Sequence, residues 1–316
     1  MKRIGIFLVI LSAISACNAG GKKDGESNET KSAIRELVEK TLRNMVFVKG
    51  GSFMMGDYIH VPIKKGRSPA YWSRHWDSKP AHKVALDSFH IGKYEVTFRE
   101  YDIYSKANNI PLIDEKYIGR TEGFAKYRKP DKPVAEVSWQ EARDYCHWLG
   151  RLTDLPFDLP TEAQWEYAAR SRGRYVGFAT DTGLADIGRN FPPFERYGHP
   201  VGTYPPNPLG IYDMSANVDE WVLDWYAEDY YQHSPERNPK GPESGTKKVT
   251  RGGSYRESPE GSTVYNRRPT KPDMRVYTLG FRCAINQSTP IPQAHIPDDA
   301  EVEKALAPYL KPPAKQ

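Results

Sequence analysis

PPNPLGIYDMSANVDEWVLDW, residues 205–225, is the stretch that decides the fold. Two turn signals, Pro-Asn-Pro and Leu-Gly, open it, and two carboxylates, Asp213 and Glu220, then bracket Asn217. A short loop of acids and an amide, followed at once by large aromatic residues, suits calcium, a hard cation that takes about six to eight oxygen ligands. The alternative that the spacing leaves open is a capped turn whose acids are exposed beside an aromatic core.

The composition around this stretch predicts a loop-rich domain with an aromatic core. The 316 residues include 25 glycines, 26 prolines, 20 tyrosines and 7 tryptophans. The formal net charge is +5, of which two units come from Lys2 and Arg3 at the N-terminus. The remaining charge is small and dispersed, which argues against a nucleic-acid partner.

The first seventeen residues resemble a bacterial lipoprotein signal. A basic start, an apolar run at Ile4–Leu11 and small residues before Cys17 are typical of a secretory leader, too short to span a membrane. The position of Cys17 resembles a lipobox, in which the cysteine is acylated and anchors the chain to a membrane surface. Asn18 is not the aspartate that commonly retains lipoproteins in the inner membrane. We therefore expect an outer-membrane or other cell-envelope location, facing the periplasm or the cell surface.

Residues 18–44 are expected to form a polar tether and a short amphipathic helix at Ser32–Leu42. Strand-like pieces follow at 45–56 and 84–94, separated by an irregular insertion at 57–79. Three helix starts then carry a hydroxyl residue and, three residues later, an acid or amide, which is the pattern of a capping box. These pairs are Thr97/Glu100, Ser138/Glu141 and Thr161/Gln164.

Two further strands are predicted at 249–255 and 277–285. In the second, apolar residues alternate with small or charged ones, the period of a half-buried strand. Cys283 therefore faces the core, as does Cys146 on the apolar stripe of the second capped helix. A disulfide between them would fit an oxidising compartment, but the sequence favours two inert buried thiols.

Six blocks of the sequence, taken in order, resemble the sulfatase-modifying-factor family, which has the fold of formylglycine-generating enzymes. The resemblance implies an α+β fold related to C-type lectins: one compact domain at 45–286 with little regular secondary structure, before a proline-rich tail at 287–316. The blocks are MVFVKGGSFMMGD (45–57), KPAHKVALDSFHIGKYEVTFREY (79–101), KPVAEVSWQEARDYCHWL (132–149), LPTEAQWEYAAR (159–170), PVGTYPPNPLGIYDMSANVDEWV (200–222), and TRGGSY (250–255) with LGFRCA (279–284).

The resemblance also implies calcium ligands. One site of the family pattern combines two side chains with two backbone carbonyls, here those of Asp213, Glu220, Ala216 and Val218. A tryptophan of the family pattern is replaced by Asp219, an acid that is either a ligand or solvent-facing. A second, weaker site would begin at Asn190 with the carbonyl of Phe191, although the loop after it is short and lacks clear acids.

The enzymes of this family hold copper(I) between two cysteines, spaced Cys-x4-Cys, after the RGGS strand. This chain has Glu257 and Ser262 at those two positions. A carboxylate and a hydroxyl are hard ligands and do not replace thiolates for copper(I). Copper is therefore not expected as a cofactor, and the sequence argues against formylglycine generation.

Two classes of function remain open. The favoured one is a non-catalytic, calcium-stabilised binding or scaffold lipoprotein, anchored to the membrane and bound to a protein partner in a secretion, motility or competition system. The other is a metal-dependent oxidase of the formylglycine-generating type with altered chemistry. In either class, side chains beside the RGGS strand are candidates to line a groove: Arg251, Ser254, Glu257 and Arg282.

Overall fold

The computed structural model describes residues 23–57, 76–113, 124–194 and 196–291. The leader with Cys17, most of the 57–79 insertion and the tail beyond residue 291 lie outside the described residues. In the part of the chain that is described, no helix is both long and apolar enough to cross a membrane.

The first helix, α1 (Lys23–Arg43), is longer than predicted. The helix expected at Ser32–Leu42 is present, but it begins at Lys23, so part of the expected tether is helical. The polar segment before Ser32 contains no proline, and polar residues alone do not stop a helix. The buried residues Ile34, Leu37 and Val38 attach α1 to the main core.

Local capping chemistry sets the starts of the three helices that follow α1 in the core. They are α2 (Phe98–Ala107), α4 (Trp139–Thr153) and α5 (Glu162–Ala169), with a single-turn helix α3 (Phe124–Tyr127) between the first two. In each of the three, the N-cap hydroxyl accepts a hydrogen bond from the N3 amide, and the N3 side chain accepts one from the N-cap amide. All three predicted capping boxes are confirmed.

The strands form three small sheets whose order does not follow the chain. They are β1 (Met45–Val48), β2 (Gly51–Met55), β3 (His82–Leu86), β4 (Phe89–Gly92), β5 (Phe157–Asp158), β6 (Asp219–Trp225), β7 (Lys248–Arg251), β8 (Arg267–Thr270), β9 (Leu279–Phe281) and β10 (Ala284–Ile285). The sheet orders are β1-β4-β10-β5, β2-β3 and β8-β7-β6-β9. Within these sheets β6 and β9 are parallel and the other pairs antiparallel. The first and last of these strands, β1 and β10, thus belong to the same sheet and are separated by β4.

The stretch 205–225 ends in β6, which lies between β7 and β9 in the third sheet. Trp221 is fully buried there, and its indole Nε1 donates to the carbonyl of Val137 at 3.0 Å. Trp225 stacks with Trp139 at 6.3 Å between ring centroids, and the Lys248 ammonium lies between the two rings. These contacts fix the strand that follows the acidic loop.

The segment 277–285 is not half-buried as predicted. It is divided into β9 and β10, and the residues that alternate with its apolar ones are buried as well. Gly280 lies against backbone, since a Cβ there would be 2.4 Å from the carbonyl oxygen of Val134. Arg282 is buried too, and its guanidinium forms an ion pair with the carboxylate of Glu220 on β6.

Cys146 and Cys283 are joined by a disulfide, with their Cα atoms 5.7 Å apart. Both side chains are buried, as expected, but the prediction of two inert thiols is wrong. The two residues are 137 positions apart in the sequence, and α4 brings the first against the link between β9 and β10. Periodicity places each cysteine on a buried face but does not show that the two faces meet.

Candidate functional site

The loop before β6 has an unusual backbone. The φ angle is 62° at Asp213, 83° at Ala216 and 63° at Asn217, the left-handed region that disfavours non-glycine residues. Asp213 Oδ2 accepts a hydrogen bond from the Gly202 amide at 2.7 Å, and the Ala216 amide donates to the Gly252 carbonyl at 2.9 Å. Strained backbone of this kind is concentrated in functional loops and ligand clamps.

Glu220, a predicted calcium ligand, lies in a buried ion pair. Arg282 donates from Nε to Oε2 and from Nη2 to Oε1, both at 2.7 Å, and Trp165 Nε1 donates to Oε2 at 2.9 Å. Neither charged side chain is accessible to solvent, so these hydrogen bonds must offset the cost of removing both charges from water. Arg282 therefore supports the loop from inside the domain and does not line an open groove.

A third carboxylate, Glu95, joins this cluster from the segment between β4 and α2. Its Oε2 accepts from the Asn217 amide nitrogen at 3.1 Å, whereas its buried Oε1 has no hydrogen-bond partner in the described structure. Burial, together with the charges of Asp213 and Glu220, raises the pKa of Glu95 well above its usual range. Sequence reasoning missed Glu95, because its only local signal is an acid just before a helix cap.

The charge balance of the cluster fits a divalent cation. Glu95, Asp213 and Glu220 together carry three negative charges when ionised, and Arg282 supplies one positive charge. Burial raises the pKa of Asp213 to about 6, with the Gly202 amide and Arg282 opposing the rise and Glu220 adding to it. Calcium, if bound here, would supply the missing positive charge and would take oxygen ligands of the kinds that these side chains and the loop carbonyls offer.

The side chains alone do not make a complete metal site. In the described ranges, no group of three or more His, Cys, Asp or Glu side chains is arranged to hold a metal ion. The set inferred from the sequence uses only two side chains, Asp213 and Glu220, with the carbonyls of Ala216 and Val218. Because Glu220 is already paired with Arg282, the less committed oxygens of this centre belong to Glu95 and Asp213.

At the second predicted calcium position, the nearby acids lie before Asn190 in the sequence and not in the loop after it. Asn190 is buried, and its amide donates to Asp181 at 2.7 Å and accepts from the backbone amide of Asp186 at 2.8 Å. Arg189 pairs with both of these aspartates, at 3.0 Å in each case. Phe191 packs against Phe178 in a small separate core cluster. The acids precede Asn190 and are already neutralised by an arginine.

Glu257, which stands at the position of the first family cysteine, forms an ion pair. Glu257 forms a two-pronged contact with Arg268, and the same guanidinium reaches Asp219 Oδ2 at 3.3 Å. Asp219 Oδ1 also accepts from the Gly253 amide at 3.1 Å. Burial raises the pKa of Asp219 to about 7, with Arg268 opposing and Glu257 adding to that rise. Asp219 and Glu257, the two acids that depart from the family pattern, therefore meet at one arginine.

The position of the second family cysteine, Ser262, is inaccessible. Its side chain is fully buried, and its Oγ has no hydrogen-bond partner among the described residues. Gly253, at φ 74°, approaches it so closely that a Cβ at that position would lie 2.4 Å from Ser262 Oγ. A paired carboxylate and a buried hydroxyl are a poor donor set for a soft metal ion.

Of the four predicted groove residues, only Glu257 has a substantially accessible side chain. Arg251 is 1% exposed and forms ion pairs with Glu162 at 3.3 Å and Glu166 at 2.5 Å. Ser254 is also buried, and its Oγ accepts from the Arg256 amide at 3.4 Å. Arg251 and Arg282 thus serve ion pairs inside the fold, the commoner role of buried arginines.

The fold and the motifs around the loop before β6 define a domain with the fold of formylglycine-generating enzymes. The sulfatase-modifying factor enzyme 1-like domain matches residues 30–287, and the chain belongs to this family.

Three proteins of different kinds are similar to this chain. A formylglycine-generating enzyme of Streptomyces coelicolor is 30% identical, over 78% of this chain and 90% of its own length. A serine/threonine-protein kinase, pkn1, of Chlamydia pneumoniae is 31% identical over 78% of this chain, but the chain spans only 38% of that protein's length. The solved structure of PvdO from Pseudomonas aeruginosa has a TM-score of 0.63 and 27% identity, covering 77% of this chain and 94% of PvdO.

Proposed function

We propose that this protein is a non-catalytic member of its family, acting as a calcium-stabilised binding or scaffold lipoprotein in the bacterial cell envelope. The observation that carries the proposal is the state of the two copper positions: Glu257 is paired with Arg268, and Ser262 is buried. Two cysteines close together are the chemical requirement of the family oxidase, and this chain offers neither of them.

The remaining cysteines do not supply a replacement. Cys146 and Cys283 are consumed in a buried disulfide, so neither can serve as a thiolate ligand while the bond is intact. Cys17 is the residue expected to be acylated. Among the thiols of the sequence, this leaves none for copper(I).

Calcium has a structural role in this proposal. When ionised, Glu95, Asp213 and Glu220 carry more negative charge than Arg282 offsets, and a bound divalent cation would favour their ionised forms. A ligand that binds only the folded state stabilises it by mass action. The ion would therefore hold the strained loop before β6 in place without taking part in a reaction.

The cell-envelope location rests on the leader and on the disulfide. The leader and Cys17 resemble a lipoprotein signal, and disulfides persist in oxidising compartments such as the periplasm. In this location the domain would be displayed at a membrane surface, where a protein partner in a secretion, motility or competition system could bind it.

The experiment that tests the proposal combines metal analysis with partner capture. Protein purified from the native envelope fraction should contain calcium and no stoichiometric copper, and should consume no oxygen with a cysteine-containing sulfatase peptide. Crosslinking in intact cells, with the Cys17→Ser variant as control, should recover an envelope protein only with the anchored form. Stoichiometric copper together with oxygen consumption would overturn the proposal.

A further inference from the structure

A polar cleft on the surface has no assigned role. Its volume is about 490 Å³, within the range of about 300–1,000 Å³ that small-molecule sites occupy. Segments that are distant in the sequence form it: the turn between β3 and β4, α4, β5, the start of α5, the end of β6, the loop at 238–240 and the chain just after β10. Neither the calcium loop nor the copper positions contribute to it.

The charges that line the cleft are balanced. Two are basic, Arg143 and Lys240, and two are acidic, Asp87 and Asp158. Arg143 Nε pairs with Asp158 at 2.9 Å, while Asp87 accepts from Arg237 just outside the cleft at 2.7 Å. Three of these four charged side chains are therefore already paired within the protein and have little net charge to offer an ionic ligand. The electrostatics therefore favour a neutral ligand.

Neutral hydrogen-bonding groups face the cleft from several sides, and apolar side chains form part of its wall. Gln164 Nε2 donates to Asn286 Oδ1 at 2.8 Å, which leaves the exposed Asn286 amide nitrogen able to donate to a ligand. The hydroxyl and amide residues of the lining are Ser88, Thr161, Gln164, Asn238, Asn286 and Ser288. Its apolar residues are Leu86, Leu223 and Pro239.

The cleft is held in shape by contacts of its own walls. Gln164 accepts from the Thr161 amide in the capping box of α5, and Asn238 bonds the Asp87 amide at 2.9 Å through Oδ1. Side chains that are already positioned lose less freedom when a ligand binds, and this strengthens binding. The groups are therefore placed before any ligand arrives.

From this chemistry we propose that the cleft binds a neutral, hydroxyl-rich ligand: a short oligosaccharide. Sugar hydroxyls both donate and accept hydrogen bonds, matching amides and hydroxyls on several sides, and the C–H faces of a sugar ring suit the leucine and proline surfaces. The cleft residues are distinct from those of the calcium loop and of the two copper positions.

Calorimetric titration of the purified protein tests the proposal, with cellotriose, maltotriose and chitotriose as separate probes. Two variants alter the cleft at exposed positions: Asn286→Ala removes an amide, and Ser288→Trp fills the space. Gln232→Ala, an exposed amide outside the cleft, is the matched control. Melting curves establish that all variants are folded.

We expect wild type and Gln232→Ala to bind at least one probe at millimolar concentration or below, and both cleft variants to bind it at least about tenfold more weakly, a loss of about 1.4 kcal/mol. Absence of binding by all three probes would overturn the proposal. So would binding that both cleft variants retain, or binding restricted to a uronic-acid oligosaccharide added as an anionic comparison. None of these outcomes bears on the copper or calcium tests, so the two proposals fail separately.

Discussion

Glu257 and Arg268 form an ion pair at the position where the family pattern places the first copper-binding cysteine. Arg268 also contacts Asp219, the acid that stands in place of a family tryptophan. The two departures are therefore coupled in space, although 38 positions separate them in the sequence. Arg268 thus joins the two substituted acids in one ion-pair network at this corner of the domain.

The first prediction concerns copper(I). Wild type should not compete with a chromophoric copper(I) chelator and should not convert a sulfatase-motif cysteine peptide to its aldehyde. The double change Glu257→Cys with Ser262→Cys should gain copper(I) binding, because it supplies two soft ligands at the family spacing. Glu257→Ala with Ser262→Ala is the matched control and should gain none. Aldehyde formation by wild type would contradict the prediction.

The second prediction concerns calcium. Added calcium should raise the melting temperature of chelator-treated wild type. When free calcium is about a hundred times Kd, the free energy of unfolding should increase by about 2.7 kcal/mol. Asp213→Asn keeps the acceptor for the Gly202 amide but removes a charge, so its melting should respond little to calcium. Asp229→Asn, an exposed aspartate elsewhere, should respond like wild type. A wild type indifferent to both chelator and calcium would count against the proposal.

The third prediction concerns pH and Asp224. Burial, followed by the charge of Glu162, raises the pKa of Asp224 to about 7, against about 3.9 in an unfolded chain. Between these values the folded state holds a proton that the unfolded state has lost, so this contribution to stability is complete below pH of about 4 and disappears as the pH rises through about 7.

Asp224→Asn removes this titration and keeps an oxygen that can accept from the Glu162 amide. Between pH of about 5 and about 7, the variant should gain stability relative to wild type, by up to about 1.4 kcal/mol per pH unit, and above about 7 the difference should level off. Urea unfolding at the two pH values measures the change, with Asp229→Asn as the control. A difference between variant and wild type that is the same at both pH values would refute the assignment.

The fourth prediction concerns the disulfide. Its 137-residue separation corresponds to about 5 kcal/mol of stabilisation through restriction of the unfolded chain. Reduction of wild type should therefore lower the urea midpoint strongly. Cys146→Ala with Cys283→Ala should show a low midpoint that the reductant does not change. An equal response of both proteins to the reductant would show that the effect comes from elsewhere.

The fifth prediction concerns the lipid. Cys17→Ser should remain unacylated and leave the membrane fraction, because acyl chains provide the expected attachment. Fractionation followed by mass spectrometry of the N-terminal peptide measures both effects. Cys17→Ser protein that stays with the membrane after high-salt washing would show that another feature attaches the chain.

Sequence reasoning succeeded where the deciding chemistry is local. Each capping box is contained within four residues, so Thr97, Ser138 and Thr161 could be identified without knowledge of the fold. The buried arrangement could not be predicted in this way. Arg282 meets Glu220 from 62 positions away, and nothing in the alternation of 277–285 distinguishes a buried arginine from an exposed one.

The same limit explains the disulfide and Glu95. Cys146 and Cys283 were each assigned correctly to a buried face, but their contact depends on how α4 lies against the strands. Glu95 reaches Asn217 from 122 positions earlier in the chain. The family resemblance supplied the acidic loop and the copper positions, because those are carried by short contiguous motifs.

The sheet that contains both the first and the last strand has a mechanical consequence. Val46 and Ala284 both lie opposite Ile91 on β4, one on each side, so they are about 10 Å apart at the usual strand spacing. β1 is an edge strand, whereas β10 is held between β4 and β5 and lies beside the disulfide cysteine Cys283. Tension applied through α1 would act on this edge and peel β1 away from β4, its neighbour in the sheet. The same tension at the other end would have to shear β10, which is bonded on both sides, so under tension across the domain we expect β1 to detach before β10.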